Sequence, residues 1–367
     1  MKISSTRLRA RLMLGVVPLL LGSAAVAQSP MSASAKPPAF PPSTAPMPTP
    51  APDMQAVLDA QASLKPKPIE TLTPAVARRQ PSPTDGVMKV MKAQGMPTVP
   101  DSSVTTTPKS YGSDSMQKAW IYRPAAARGT GPLPVVVYYH GGGWVIADLK
   151  TYDATPRFLS QQLNAIVVSV EYRHAPEAKF PAQHEDAAAA YSWVLKNAAS
   201  WGGDPAKVAL AGESAGGNLA VATAIYARDN GLTKPLHILS VYPIANSDPM
   251  TPSKVQYANA KPLNGAMLKW FTYYTVKDMA DAKDPRIDLV HADLHGLPPV
   301  TIVNAEIDPL MSDGVTLAAA LRAAGVTVEQ KTYPGVTHEF FGMGKVVKGA
   351  YDAEGFAVSR LKPALGM

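Results

Sequence analysis

From about Pro108 onward the sequence predicts an α/β domain, a mostly parallel sheet flanked by helices. Two observations carry that prediction. Strand-like runs alternate with stretches of helical period, and several runs, PVVVYY at 134–139 and AIVVSV at 165–170 among them, are apolar throughout instead of at every second position. A strand covered by helices on both faces reads that way because neither face meets water. The predicted strands are Ala119–Tyr122, Leu133–His140, Ala165–Tyr172, Lys207–Ala211, Ile238–Tyr242, Pro299–Ala305 and Thr327–Tyr333. Helical patterns fall between most of them and after the last, at Thr155–Leu163, Gln183–Ala198, Gly217–Asp229, Gly314–Ala324 and Ala350–Leu361. No internal repeat interrupts the alternation.

The first hundred residues are of a different kind. Residues 1–27 open with Lys2, Arg7, Arg9 and Arg11, continue through an apolar stretch from Leu12 to Leu21, and end on Ala25-Val26-Ala27. That is the order of a signal peptide cleaved before Gln28, so the protein is expected to be exported, to a periplasm or beyond the cell. The apolar run falls short of the roughly 20 residues that span a bilayer and contains Pro18, which disfavours a retained anchor. Residues 28–52, a mixture of Pro, Ala and Ser, offer little to bury and are expected to form a disordered linker. Order is expected from Asp53, which reads as a helix cap ahead of Met54, Val57, Leu58 and Leu64; a second helical pattern ends at Gly95. These pieces, within residues 53–107, are too short to stand alone and should pack on the domain at 108–367.

Composition narrows the function. The 367 residues are 46% hydrophobic, enough for a large core, and carry a formal charge of +7. Removing the four basic residues of the leader leaves +3, and the remaining charges are interspersed without the basic stripe that a nucleic-acid partner requires. The absence of cysteine excludes disulfides, a lipidated N-terminal cysteine and a thiol nucleophile.

One segment suggests chemistry. In VALAGESAGGNLA a β-branched, apolar run reaches Gly212-Glu213-Ser214-Ala215-Gly216 and turns helical. A serine hydroxyl is a poor nucleophile and must be presented uncluttered to a base and a carbonyl carbon. A sharp strand-to-helix turn does this at the cost of a strained backbone, and it crowds the positions two residues either side, where Gly212 and Gly216 stand. Such a pattern also occurs with an ordinary serine, so its context matters. That context is HGGGW: His140 followed by Gly141, Gly142 and Gly143 after an apolar strand. Consecutive glycines let backbone N–H groups approach a ligand closely. The amides of Gly142 and Gly143, with Gly141 a further candidate, and that of Ala215 would form an oxyanion hole, each donor worth about 3 kcal/mol. A phosphate loop would need a terminal Lys-Ser/Thr, which is absent.

HGGGWVIADL, EYRHAPEAKFPAQHEDAAAAYSWV, WGGDPAKVALAGESAGGNLA, GLPPVTIVNAEIDPL and YPGVTHEF together resemble the bacterial hormone-sensitive-lipase-like esterases, family IV, from about Pro132 to Gly342. The resemblance implies an α/β-hydrolase fold with a helical cap, and a serine, an acid and a histidine acting in that chain order: Ser214, Asp308 and His338. It also implies short- to medium-chain acyl esters as substrates, and no cofactor or metal. Two positions depart from the family pattern: Ala147 stands where Gly is common, and His174 where an apolar residue is usual.

The residues themselves select the same three less sharply. Asp308 follows the apolar run PPVTIVNAE, at the strand end where open α/β sheets carry their chemistry. Asp313 is a rival that reads as the cap of the next helix, and Glu306 is a second rival. Among seven histidines, His338 follows the last strand-like segment in a Gly-containing loop, whereas His140, His174 and His184 belong to the Gly loop and the segments expected to brace it. Asp148 and Asp186 read as structural hydrogen-bonding residues. The spacing His291-Ala-Asp293-Leu-His295 could suit a divalent metal, but it lies in a linker with no third cluster nearby and reads as a surface loop. Residues 246–288 are too long for a simple crossover and read as a cap insertion whose Trp270, Phe271, Tyr273 and Tyr274 either line a substrate pocket or face the core. Trp144, Trp270, Phe271 and Tyr274 are the candidate substrate-binding residues. The expected function is hydrolysis of a small-molecule ester by a Ser–His–Asp triad through an acyl-enzyme. An amide or peptide hydrolase on the same triad, or a non-catalytic envelope binding protein, are the alternatives, and the sequence leaves the oligomeric state open.

Overall fold

The computed structural model describes residues 47–100, 102–129 and 131–367. The expected signal peptide and residues 28–46 of the expected linker lie outside the described residues. Eight strands form one sheet: β1 (Val104–Ser110), β2 (Lys118–Pro124), β3 (Leu133–Tyr139), β4 (Ile166–Val170), β5 (Gly203–Glu213), β6 (Ile238–Val241), β7 (Val300–Ile307) and β8 (Val328–Thr337). Their spatial order is β1-β2-β4-β3-β5-β6-β7-β8. The β1–β2 and β2–β4 pairs are antiparallel and the other five parallel. This is the mostly parallel sheet read from the apolar runs.

The apolar strands are covered on both faces. Along β3, Val135, Val137 and Tyr139 join one core with Tyr191 and Val194 of α5 (Ala182–Asn197), Leu219 and Ala220 of α6 (Ala215–Asp229), and Leu317 and Leu321 of α9 (Met311–Ala323). Val136 and Tyr138 join the other core with Met54 and Val57 of α1 (Pro52–Ala62), Leu159 of α4 (Ala154–Gln162), and Ala357 and Leu361 of α10 (Lys348–Ala364). Between α1 and the sheet the chain forms α2 (Pro74–Ala77) and α3 (Pro83–Ala93), and α3 opens on a reciprocal cap between Ser82 and Asp85. In the segment 246–288 lie α7 (Pro252–Gln256) and α8 (Gly265–Thr275). Among the described residues no helix is long and apolar enough to cross a membrane.

Three local expectations are corrected. Strand β1 has no counterpart in the sequence reading because VTTTPKS lacks an apolar alternation; it is an exposed edge strand, the place where a sheet tolerates Pro108. Asp53 does not cap α1: the helix begins one residue earlier at Pro52, and the Asp53 carboxylate accepts from Met54 N–H at 2.8 Å and from Lys348 N–H at 2.7 Å. Helix α6 begins at Ala215 instead of Gly217, because Gly216 and Gly217 serve close packing and do not break the helix.

Candidate active site

Ser214 stands between β5 and α6 with φ 57° and ψ −117°, a conformation that L-residues avoid. The fold holds it there from both sides: its N–H donates to Val241 O at 2.9 Å, and its carbonyl accepts from Asn218 N–H at 3.1 Å. The flanking glycines are needed for space. A Cβ on Gly212 would land on the carbonyl of Gly216, and one on Gly216 on the carbonyl of Tyr139.

His338 follows β8 and reaches back to this turn. Its Nε2 is 3.0 Å from Ser214 Oγ and its Nδ1 2.7 Å from Asp308 Oδ2. Asp308, just past β7, is fully buried, and its other oxygen accepts from Leu310 N–H at 2.8 Å. Burial opposes a charge on His338, but the adjacent Asp308 carboxylate outweighs it and raises the imidazole pKa above its ordinary value. The structure thus brings Ser214, His338 and Asp308 into one hydrogen-bonded line, an arrangement able to take a proton from the hydroxyl and stabilise the resulting imidazolium.

The rivals are elsewhere. Glu306 accepts from Gly335 N–H at 2.7 Å. Asp313 does not cap α9, whose N-cap is Leu310; it lies in the first turn, fully buried, where it accepts from Ala245 and Asn246 N–H at 3.0 Å each and pairs with Lys254 Nζ at 2.9 Å. His291 and His295 are mostly exposed, and each pairs with a neighbouring carboxylate, Asp288 and Asp293 respectively. Asp148 ties the turn at Thr151, and Asp186 binds Arg173 and Gln117.

The Gly141–Gly143 loop neighbours the Ser214 turn, a Cβ on Gly141 coming within 3.1 Å of the Glu213 carbonyl. Gly142 (φ 95°) and Gly143 (φ 59°) take left-handed conformations, and among the described residues the N–H groups of Gly142, Gly143 and Ala215 donate to no partner. Ala147, where the family favours Gly, has φ 68°, which accounts for that preference. The space beyond the loop is closed by α8: a Cβ on Gly143 would strike the Phe271 ring. Trp270 packs edge-on against Phe271 and Tyr274, and its Nε1–H donates to Leu72 O at 2.9 Å. Trp144, by contrast, is buried in the core beside His184, 5.6 Å between ring centroids. His184 bonds Asn218 of α6 at 2.9 Å with its ring against Trp144, the residue after the loop, and His140 and His174 share Glu171.

Beneath the turn is a group the sequence reading passed over. Glu213 is buried and accepts from Tyr138 OH at 2.6 Å and Tyr242 OH at 2.5 Å. Burial pushes its carboxyl up to about 7 even with these donors, and the nearby Glu339 adds to the rise. Glu339 accepts from Tyr152 OH at 2.6 Å and lies 3.8 Å from His338 Nε2, held at φ 69°. Both carboxylates were visible as immediate neighbours of Ser214 and His338, but no one-dimensional pattern places three tyrosines around them.

Known proteins resemble this chain in sequence and in fold. A family described as "alpha/beta hydrolase fold" matches residues 136–342. Carboxylesterase NlhH of Mycobacterium tuberculosis is 43% identical over 251 residues, 67% of this chain and 77% of that protein. Ethyl acetate hydrolase of Pseudomonas putida is 32% identical over 247 residues, 67% of this chain and 78% of its own. Among solved structures, a thermostable esterase from Pseudomonas putida superimposes with a TM-score of 0.77 at 30% identity, covering 88% of this chain and 99% of that one. The chain belongs to the α/β-hydrolase family. Within it, the chain is one of the hormone-sensitive-lipase-like esterases of family IV, a carboxylic ester hydrolase.

Proposed function

We propose that the protein is a serine carboxylesterase acting on small esters with short to medium acyl chains. The observation that carries this reading is the line from Ser214 Oγ through His338 to Asp308, with bonds of 3.0 and 2.7 Å. Ser214 attacks the ester carbonyl while His338 takes its proton. Asp308 fixes the imidazole tautomer and stabilises its charged form. The amides of Gly142, Gly143 and Ala215 receive the oxyanion, aided by the N-terminus of α6. His338 then protonates the leaving alcohol, and water repeats the sequence on the acyl-enzyme. The confined acyl pocket is supported by Phe271 seated against Gly143, with Trp270 behind it. Export, by cleavage after Ala27, is part of the proposal and is tested by N-terminal sequencing of the secreted or periplasmic protein.

The deciding experiment measures initial rates on p-nitrophenyl esters from acetate to palmitate, for protein beginning at Gln28 and for Ser214→Ala. Rates that peak at short chains and vanish in Ser214→Ala support the reading. Equal rates in the two proteins refute it.

A further inference from the structure

We propose that His140, Glu171 and His174 form a binding site for a divalent cation of zinc-like chemistry behind the Gly141–Gly143 loop. His140 ends β3 immediately before the loop, and Glu171 and His174 follow β4, so the site would tie the loop to the neighbouring strand. The Nε2 atoms of His140 and His174 lie 3.2 and 3.0 Å from the same oxygen, Glu171 Oε1, and the three atoms are all within 4.8 Å of one another. Zinc–ligand bonds of about 2.0–2.1 Å in a tetrahedral site put neighbouring donor atoms a little over 3 Å apart. Two imidazoles and one carboxylate are a known donor set for that ion.

Two details suit a bound cation. His140 Nδ1 is 2.8 Å from the carbonyl of Gly141, which can only accept, so Nδ1 carries the proton. With the ring neutral, this leaves the Nε2 lone pair facing a carboxylate, so that either a second proton or a metal cation lies between them. A histidine whose second nitrogen is held by a backbone carbonyl is the usual arrangement around a bound metal. His174 supplies the second detail. Its Nε2 is buried and lies 3.0 Å from the Glu171 oxygen that His140 also faces, so one small ion could meet all three atoms.

The surroundings fit the assignment. The other Glu171 oxygen accepts from Leu149 N–H at 3.1 Å, which fixes the carboxylate. Tyr172 stacks on the His140 ring at 4.4 Å and closes one side. The guanidinium of Arg78, the positive group near His174, is paired with both oxygens of Glu177 at 2.8 and 2.7 Å. The site is separate from Ser214, Asp308 and His338, and its existence does not depend on the esterase reading.

The test uses tag-free, chelator-treated protein incubated with zinc chloride alone, with metal per chain measured after gel filtration and thermal melting recorded across a zinc titration. The expected result is about one zinc per chain and a saturable rise in melting temperature. Both should be lost in His174→Leu and in His174→Gln, and both kept when the exposed His291 and His295 are changed to Ala. Absence of stoichiometric zinc in the unaltered chain would overturn the assignment. So would retention of the metal and the melting shift in whichever His174 variant folds.

Discussion

Replacing Glu213 by Gln should make the protein more stable at alkaline pH and leave it nearly unchanged at acid pH. The folded carboxyl titrates near 7 where an exposed glutamate titrates near 4.5. Below 4.5 both the folded and unfolded chains carry the proton, and the group costs nothing. Between 4.5 and 7 the unfolded chain ionises while the fold holds its proton, so stability falls as pH rises. Above 7 the fold too must hold a buried carboxylate, and the full cost is present. At about 1.4 kcal/mol for each tenfold change in acidity, that cost is about 3 kcal/mol. Gln has nearly the same shape and cannot ionise, and the hydroxyls of Tyr138 and Tyr242 can rotate to meet its amide. For a domain of this size a kcal/mol moves the melting temperature by roughly 2 °C. Melting curves at pH 4.5 and 8.5 should therefore separate the two proteins by about 6 °C more at the higher pH. The same difference at both values would mean that the tyrosines keep Glu213 ionised throughout, and the reasoning from burial would fail.

Asp308→Asn should lower kcat by about 10⁴ while leaving KM nearly unchanged, because the imidazole loses its tautomer and its counter-charge. It should also move the acid limb of the kcat/KM profile to lower pH, since Asp308 is what lifts the His338 pKa against burial; an unmoved limb would remove Asp308 from that role. Ala147→Gly, at φ 68°, should stabilise the fold by about 0.5–1 kcal/mol, as relief of the left-handed strain exceeds the entropy cost of glycine, and a lower melting temperature would contradict this. Phe271→Ala should shift the preferred p-nitrophenyl ester towards longer chains, and an unchanged profile would show that Phe271 does not bound the acyl pocket.

Much of this site could be read from the sequence because its chemistry is local there. Ser214 needs Gly212 and Gly216 within two residues, and the Gly141–Gly143 loop follows its strand directly, so both leave patterns in one dimension. The sheet was legible for the same reason, since strands such as β3 bury both faces and are apolar throughout. What could not be read depends on partners far apart in the chain. Glu213 is buried among groups that include Tyr138 and Tyr242, 75 and 29 residues away. Asp313 looked like a cap because its partners, Ala245, Asn246 and Lys254, lie on another connection. Edge strand β1 was missed because one-sided pairing at a solvated edge demands no apolar alternation.

The seating of α1 bears on how the chain is made. Ala51 N–H donates to the carbonyl of Gly335 at 2.7 Å, the Asp53 carboxylate holds the first amide of α10, and Met54 and Val57 are buried beside Val336 and Phe340. Helix α1 can pack on α3 early, but its seat against the sheet is complete only once β8 and α10 have followed it. Until then the side of α1 that meets β8 and α10 stays uncovered, the kind of surface on which an incomplete fold associates.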